Sequence, residues 1–194
     1  MCGGSLVSPR VIISAFHCQE MPGSDPCTQG TAILGAHEIT GNWRNNNNQY
    51  TIKYSDVRFP PNQHEKGEPF YNHNHDISLV VLNEAAQMSA KVGTVCLPPP
   101  NSIYRGLNAV AAGWGRFAPD HVNRGQSPVL RKVTLKVSTK EYKHTYFLGT
   151  EVNKNAKGEW MDPCSGDSGW LCSYIFPIPG YWSSNKIYIR LSSL

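Results

Sequence analysis

Residues 2–18 read CGGSLVSPRVIISAFHC and contain two short apolar runs separated by a Pro-Arg turn. Runs of this length, bounded by turn residues, predict two antiparallel strands that are closely joined. His17 follows the second run and directly precedes Cys18. A disulfide at Cys18 would hold the loop that carries His17, and Cys2 is the obvious partner across so tight a unit. A general base needs such rigid support, although a surface histidine beside a structural cysteine fits the same residues.

Further apolar segments recur along the chain at short intervals. Residues 31–37 (TAILGAH) and 76–82 (DISLVVL) are typical of strands, and residues 128–138 (PVLRKVTLKVS) alternate between apolar and polar side chains. Helical character is limited to short segments near 84–90 and 139–144. With 17 glycines and 14 prolines, the chain has many turns. The pattern predicts an all-β fold, either an antiparallel sandwich or a pair of barrels.

The segment CLPPP (96–100) divides the chain into two halves. Its three prolines fix an extended backbone that cannot join a hydrogen-bond ladder. We therefore predict one half over residues 1–95 and the other over residues 96–194. A length of 194 residues suits a single domain composed of two such halves.

The composition argues against several classes of protein. A net charge of +4 with scattered basic residues disfavours nucleic-acid binding. No apolar run approaches the roughly 18 residues that a membrane-spanning helix requires. Six cysteines predict disulfides and an oxidising compartment, while a reduced intracellular protein with spare thiols is the alternative. No signal peptide stands at the start, so we expect the natural N-terminus to lie upstream.

Asp76 stands at the start of the most apolar run in the chain. A carboxylate there is largely desolvated and therefore needs a partner. A histidine N–H would satisfy it, and capping of backbone N–H groups is the alternative. His73 and His75 could join Asp76 as metal ligands, but no other segment offers obvious ligands, and we predict no metal site.

Residues 162–170 read DPCSGDSGW and contain a candidate reactive serine, Ser168. A serine hydroxyl is a poor nucleophile unless a base, itself oriented by a third group, lies within hydrogen-bond reach. Gly166 allows the backbone to turn so that its N–H and that of Ser168 point at one spot, as in an oxyanion hole. The tetrapeptide GDSG alone is equally compatible with an ordinary turn.

Together these segments resemble the trypsin-like (chymotrypsin-fold, S1) serine proteases. Residues 2–18 are similar to the family's histidine segment, residues 75–82 to its aspartate segment, and residues 162–169 to its serine segment. CLPPP (96–100) and AAGWG (111–115), which lie between the aspartate and serine segments, match two further sequence motifs of the family. The matches occur in the family's order.

The resemblance implies a fold of two six-stranded antiparallel β-barrels with the active site in the cleft between them. It implies one partial peptidase domain over residues 1–194, whose first barrel lacks its N-terminal strand and whose second barrel is truncated at the C-terminus. It further implies a secreted monomer without cofactor or metal that cleaves polypeptides. Protein protease inhibitors are further candidate partners, and neither nucleic acid nor a membrane is expected.

Residue roles follow from the same resemblance. It makes His17 the general base and acid, Asp76 the carboxylate that orients it, and Ser168 the nucleophile. The N–H groups of Gly166 and Ser168 would form the oxyanion hole. Asp162, six residues before the nucleophile, would lie at the floor of the primary specificity pocket and pair with a substrate lysine or arginine.

The resemblance also concerns one disulfide, and one of the roles above has an alternative. The Cys2–Cys18 disulfide belongs to the family pattern. The specificity role of Asp162 has a simpler alternative, which is a loop aspartate that precedes Pro163.

The chain also departs from the family pattern. Trp170 stands where the family has a glycine, and overpacking behind the nucleophile typically costs about 1–3 kcal/mol. The N-terminal amine that pairs with the aspartate before the nucleophile, here Asp167, is not in this chain. Residues 186–194 (KIYIRLSSL) loosely resemble the family's last strand, and its closing helix is absent. We therefore expect little activity from these 194 residues alone, and a protease-like binding module is the alternative function.

Overall fold

The computed structural model describes eleven segments of the chain: residues 2–19, 27–39, 50–60, 76–100, 104–115, 127–138, 150–151, 153–154, 160–161, 173–174 and 189–193. Their strands are β1 (Cys2–Ser8), β2 (Val11–Ser14), β3 (Gly30–Leu34), β4 (Tyr50–Arg58), β5 (Ser78–Leu82), β6 (Asn108–Gly113), β7 (Arg131–Val137), β8 (Thr150–Glu151), β9 (Asn153–Lys154), β10 (Trp160–Met161), β11 (Ser173–Tyr174) and β12 (Ile189–Ser193). The helix found in these segments is a single 3-10 turn, Phe16–Cys18. The all-β prediction is therefore confirmed.

The hairpin predicted at the start of the chain is present. Strands β1 and β2 are antiparallel, with Leu6 opposite Ile12 and a change of register between Leu6 and Ser8. The turn between them is attached to β5, because the Arg10 guanidinium donates hydrogen bonds to the carbonyl oxygens of Leu82 and Asn83 at 3.1 Å each. The hairpin and β5 therefore form one connected unit.

Six strands close into a barrel in the order β1-β12-β3-β4-β5-β2. Alternate side chains of β1 to β5 point inward and pack in one apolar core, as the period of two in a strand requires. The core includes Leu6, Ile12, Leu34, Ile52, Tyr54, Val80 and Leu82, each at most 2% exposed. Burial of each large aliphatic side chain contributes about 1.5–3 kcal/mol, so this core is the main source of the barrel's stability.

The sixth strand of the barrel comes from the far end of the sequence. Residues 186–194 fall in the predicted second half of the chain, but β12 lies in the barrel formed by β1 to β5. Its residue Leu191 lies opposite both Cys2 on β1 and Ala32 on β3. The physical reason is that β1 and β3 would otherwise expose unpaired backbone groups along two edges. Strand β12 therefore completes the barrel between β1 and β3.

The second half contains a four-stranded antiparallel sheet, β11-β6-β7-β8, and a separate pair, β9-β10. This sheet attaches to the barrel at the loop after β3, where the His37 carbonyl accepts hydrogen bonds from Trp114 Nε1 at 2.9 Å and from the Leu130 backbone at 2.8 Å. Trp114 packs there with Ile33 and Ala36. The division between 1–95 and 96–194 stays a prediction, with β12 as a strand that crosses it.

In the described segments, no helix is long or apolar enough to cross a bilayer.

A proline in β12 tests the closure of the barrel. Leu191→Pro removes a backbone N–H from the strand between β1 and β3 and introduces a ring that clashes with the ladder. We expect the free energy of unfolding, measured by urea denaturation, to fall by about 1–3 kcal/mol because a buried acceptor loses its donor. Leu194→Pro, one position beyond β12, is the control and should change stability little. Equal stability of the two variants would contradict the closure by β12.

Candidate active site

His17 lies in a backbone segment that is fixed on both sides. Strand β2 ends at Ser14, Ala15 is extended (φ −84°, ψ 145°), and the 3-10 turn follows at once. Inside the turn the Cys18 N–H donates to the Ala15 carbonyl at 3.2 Å. Phe16 is fully buried, and its ring packs against Phe59 with centroids 5.0 Å apart. The position of His17 is therefore set by an anchored neighbour rather than by a free loop.

Cys18, next to His17, is part of a disulfide. Cys2 stays its predicted partner, because the side chain of Cys2 lies outside those that the structure describes. Cys27 and Cys96 are free thiols. A crosslink at Cys18 holds the C-terminal end of the 3-10 turn, as expected for support of His17.

The carboxylate of Asp76 binds both the ring and the backbone of His17. Oδ2 lies 2.7 Å from the ring Nδ1, and Oδ1 accepts a hydrogen bond from the His17 backbone N–H at 2.9 Å. The backbone N–H of Phe16 also donates to this carboxylate. Asp76 thus supplies acceptors for N–H groups at the start of the 3-10 turn, which have no partner within the turn itself. Asp76 therefore acts both as the partner of a histidine and as a cap for backbone N–H groups.

This geometry fixes the tautomer of the neutral imidazole. A carboxylate is an acceptor, so the proton lies on Nδ1 and the lone pair on Nε2. The two side chains are 28% and 24% exposed, so the pair is reachable from solvent. A histidine with this tautomer can accept a proton at Nε2 while the carboxylate stabilises the positive charge that develops on the ring.

The pKa of Asp76 lies below its ordinary value of 3.8. Partial burial raises the pKa, but the hydrogen bonds from the His17 ring and backbone, the charge of His17 and the Phe16 N–H outweigh it. The carboxylate is therefore ionised at every pH at which a histidine can act as a base.

The remaining site residues of the sequence analysis lie outside the described segments. These are the predicted nucleophile, oxyanion-hole glycine, specificity residue, the tryptophan after the serine turn, and the two histidines weighed as metal ligands: Ser168, Gly166, Asp162, Trp170, His73 and His75. Their positions and roles stay predictions. In the described part of the chain, no group of three metal-ligating side chains occurs.

Sequence reasoning missed one polar residue of this site. The run 76–82 predicts an apolar strand, yet Ser78 within it is 1% exposed and donates its hydroxyl proton to the Ala15 carbonyl at 3.2 Å. A hydroxyl inside an otherwise apolar run was the available signal, because a buried hydroxyl requires a partner.

Comparisons with known proteins agree on one family. The trypsin family profile matches residues 1–169. "Venom serine protease" of Polistes dominula is 34% identical over 175 residues, which cover 87% of this chain and 58% of that protein. "Brachyurin" of Leptuca pugilator is 31% identical over 179 residues, which cover 89% of this chain and 70% of that protein. This chain therefore spans less than two thirds of the first of these relatives.

Solved structures show the same architecture. The chain is similar to human heparin binding protein with a TM-score of 0.65 and 22% identity, over 88% of this chain and 69% of that one. At this level of identity the similarity concerns the fold alone.

Asp76→Asn tests the charge of the pair. A carboxyl whose pKa is lower in the folded than in the unfolded protein stabilises the fold above its unfolded pKa, and loses this contribution as the pH falls through the folded pKa. We therefore expect the variant to be less stable than the parent at pH 5, with a smaller difference at pH 2, in urea denaturation. Asp56→Asn, which alters an exposed ion pair with Arg58, is the control. An unchanged difference between pH 5 and pH 2 would contradict the assignment.

Proposed function

The chain belongs to the trypsin family, and from this premise we propose that the full-length protein is a serine endopeptidase that uses His17, Asp76 and Ser168. The two-barrel, all-β fold implied by the sequence accords with the family match and the structural likeness. The observation that carries the proposal is the 2.7 Å contact between His17 Nδ1 and Asp76 Oδ2. It leaves Nε2 as the basic nitrogen, which is the one a serine hydroxyl would need.

The proposed reaction proceeds by acyl transfer. Ser168 Oγ attacks the substrate carbonyl carbon while His17 Nε2 takes the hydroxyl proton, and the N–H groups of Gly166 and Ser168 stabilise the oxyanion. The imidazolium then gives its proton to the leaving amine as the peptide bond breaks. Water, deprotonated by the same nitrogen, attacks the acyl-enzyme, and the imidazolium then gives this proton to Ser168 Oγ as the ester bond breaks and the acid is released. Asp76 remains ionised throughout and stabilises the imidazolium.

Substrate choice is proposed to depend on Asp162. A carboxylate at the floor of a desolvated pocket would pair with a lysine or arginine side chain and disfavour apolar residues, which would leave it without a partner. Substrates are thus polypeptides cut after a basic residue.

The compartment in which the protein acts is proposed from its relatives. They include a venom serine protease and the clotting factor G beta subunit of Tachypleus tridentatus, and a disulfide at Cys18 suits an oxidising compartment. We propose a secreted monomer without cofactor, whose partners are polypeptide substrates and protein protease inhibitors.

Labelling with a fluorophosphonate probe tests the triad. In the full-length protein we expect labelling of Ser168, and we expect His17→Ala to lower peptide hydrolysis by roughly 10⁴-fold or more because the nucleophile loses its base. His37→Ala, a change of a histidine whose backbone joins the two halves, controls for the loss of an imidazole. A full-length protein that takes no label would instead favour the protein-binding module. The 194 residues alone are expected to label weakly.

Replacement of Asp162 tests specificity. Asp162→Ser should lower kcat/KM for an arginine ester by roughly 30-fold or more, because truncation of one partner of a buried charge pair costs about 2–5 kcal/mol. Labelling by the fluorophosphonate, which carries no basic group, should persist. Unchanged kcat/KM for the arginine ester would remove Asp162 from the pocket.

A further inference from the structure

The hydroxyl of Ser78 is buried at the start of β5, 1% exposed, and donates to the Ala15 carbonyl at 3.2 Å. That carbonyl already accepts the Cys18 N–H within the 3-10 turn. The Ala15 carbonyl therefore has a hydrogen-bond donor even without Ser78. An apolar residue at position 78 would leave this carbonyl satisfied. The serine adds a second attachment at a place where satisfaction of the backbone does not require one.

Ser78 and Asp76 act on the same turn. They are two residues apart at the start of a strand, so their side chains share one face, and the intervening Ile77 is 43% exposed on the other. The Asp76 carboxylate accepts the backbone N–H of His17 at 2.9 Å. The Ser78 hydroxyl donates to the carbonyl of Ala15, two residues before His17. One strand end thus binds both a donor and an acceptor of the segment that carries the imidazole.

The two side chains hold different parts of the segment. The Asp76 carboxylate binds N–H groups of the turn and of the His17 ring, whereas the Ser78 hydroxyl binds the carbonyl of Ala15, where the chain enters the turn. Productive proton transfer requires the base to be held within about 0.5 Å and 10–20° of its working geometry. The Ser78 hydrogen bond therefore restrains the carbonyl at the entry to the turn, which the carboxylate, itself an acceptor, does not bind.

We propose that Ser78 is a positioning residue, which holds the Ala15 carbonyl at the entry to the turn while Asp76 holds the N–H groups of His17, and so helps to align the imidazole. The expected loss of kcat rests on the proposed serine protease activity, whereas the alignment of the imidazole by Ser78 does not. The role is exerted through the backbone of Ala15, and Ser78 itself touches no reacting atom.

Kinetics of the full-length protein test this role. Ser78→Ala should lower kcat by roughly tenfold, because a misaligned base slows the chemical step, while KM changes less than about twofold because no substrate contact is lost. Ser78→Thr keeps the hydroxyl and should restore kcat to within a factor of about three.

Ser14→Ala is the matched control. Ser14 lies directly opposite Ser78 in the β2–β5 register and is 3% exposed. Its hydroxyl donates at 2.8 Å to the Gly3 carbonyl on β1 and not to Ala15. Both alanine variants lose a buried hydroxyl bond and should lose similar stability in urea denaturation. Only Ser78→Ala should lower kcat, so equal kcat in the two variants would overturn the proposal.

A measurement without turnover separates this inference from the proposed function. We expect the proton between His17 Nδ1 and Asp76 Oδ2, which are 2.7 Å apart, to give a far-downfield proton NMR resonance in the 194-residue chain. Ser78→Ala should shift this resonance upfield and speed its exchange with water, whereas Ser14→Ala should leave it unchanged. An unaltered resonance in Ser78→Ala overturns the positioning role even if Ser168 labels normally. A shifted resonance in a protein that takes no label supports the positioning role and counts against the protease.

Discussion

The carboxylate of Asp76 is the group on which the site depends. It joins residues that are 59 positions apart in the sequence and holds the His17 ring through one oxygen and the His17 backbone through the other. Partial burial makes the charged form costly, and several N–H groups offset this cost. Without the carboxylate, the start of the 3-10 turn would lose its acceptors and the imidazole its tautomer. Fold and chemistry therefore depend on the same two oxygen atoms.

Much of this site was predictable from local sequence. The hairpin before His17 and the strand after Asp76 each follow from apolar runs bounded by turn residues, whereas the meeting of the two side chains, 59 positions apart, was implied by the family resemblance. Ser78 was less visible, since a single hydroxyl in an apolar run reads as part of a hydrophobic strand until its acceptor, the Ala15 carbonyl, is known.

The placement of β12 could not be read from the sequence. An apolar, β-branched segment such as residues 186–194 specifies a strand but not its neighbours. The neighbours are decided by which edges remain unpaired in the assembled sheet, here those of β1 and β3. By contrast, a hydrogen bond from Trp114 could be expected from its residue type, because a buried indole N–H usually finds an acceptor. That acceptor is the His37 carbonyl.

The barrel's closure by β12 has a consequence for biosynthesis. During translation the ribosome delivers β1 to β5 early, but the strand that seals them arrives only when residues 189–193 emerge. Until then β12 cannot pair with β1 or β3, and backbone groups along a strand edge that stays unpaired are open to association with other chains. Closure requires a contact of very high sequence separation, which slows folding. The barrel is thus closed late because of the order of its strands in the sequence, whatever the stability of its apolar core.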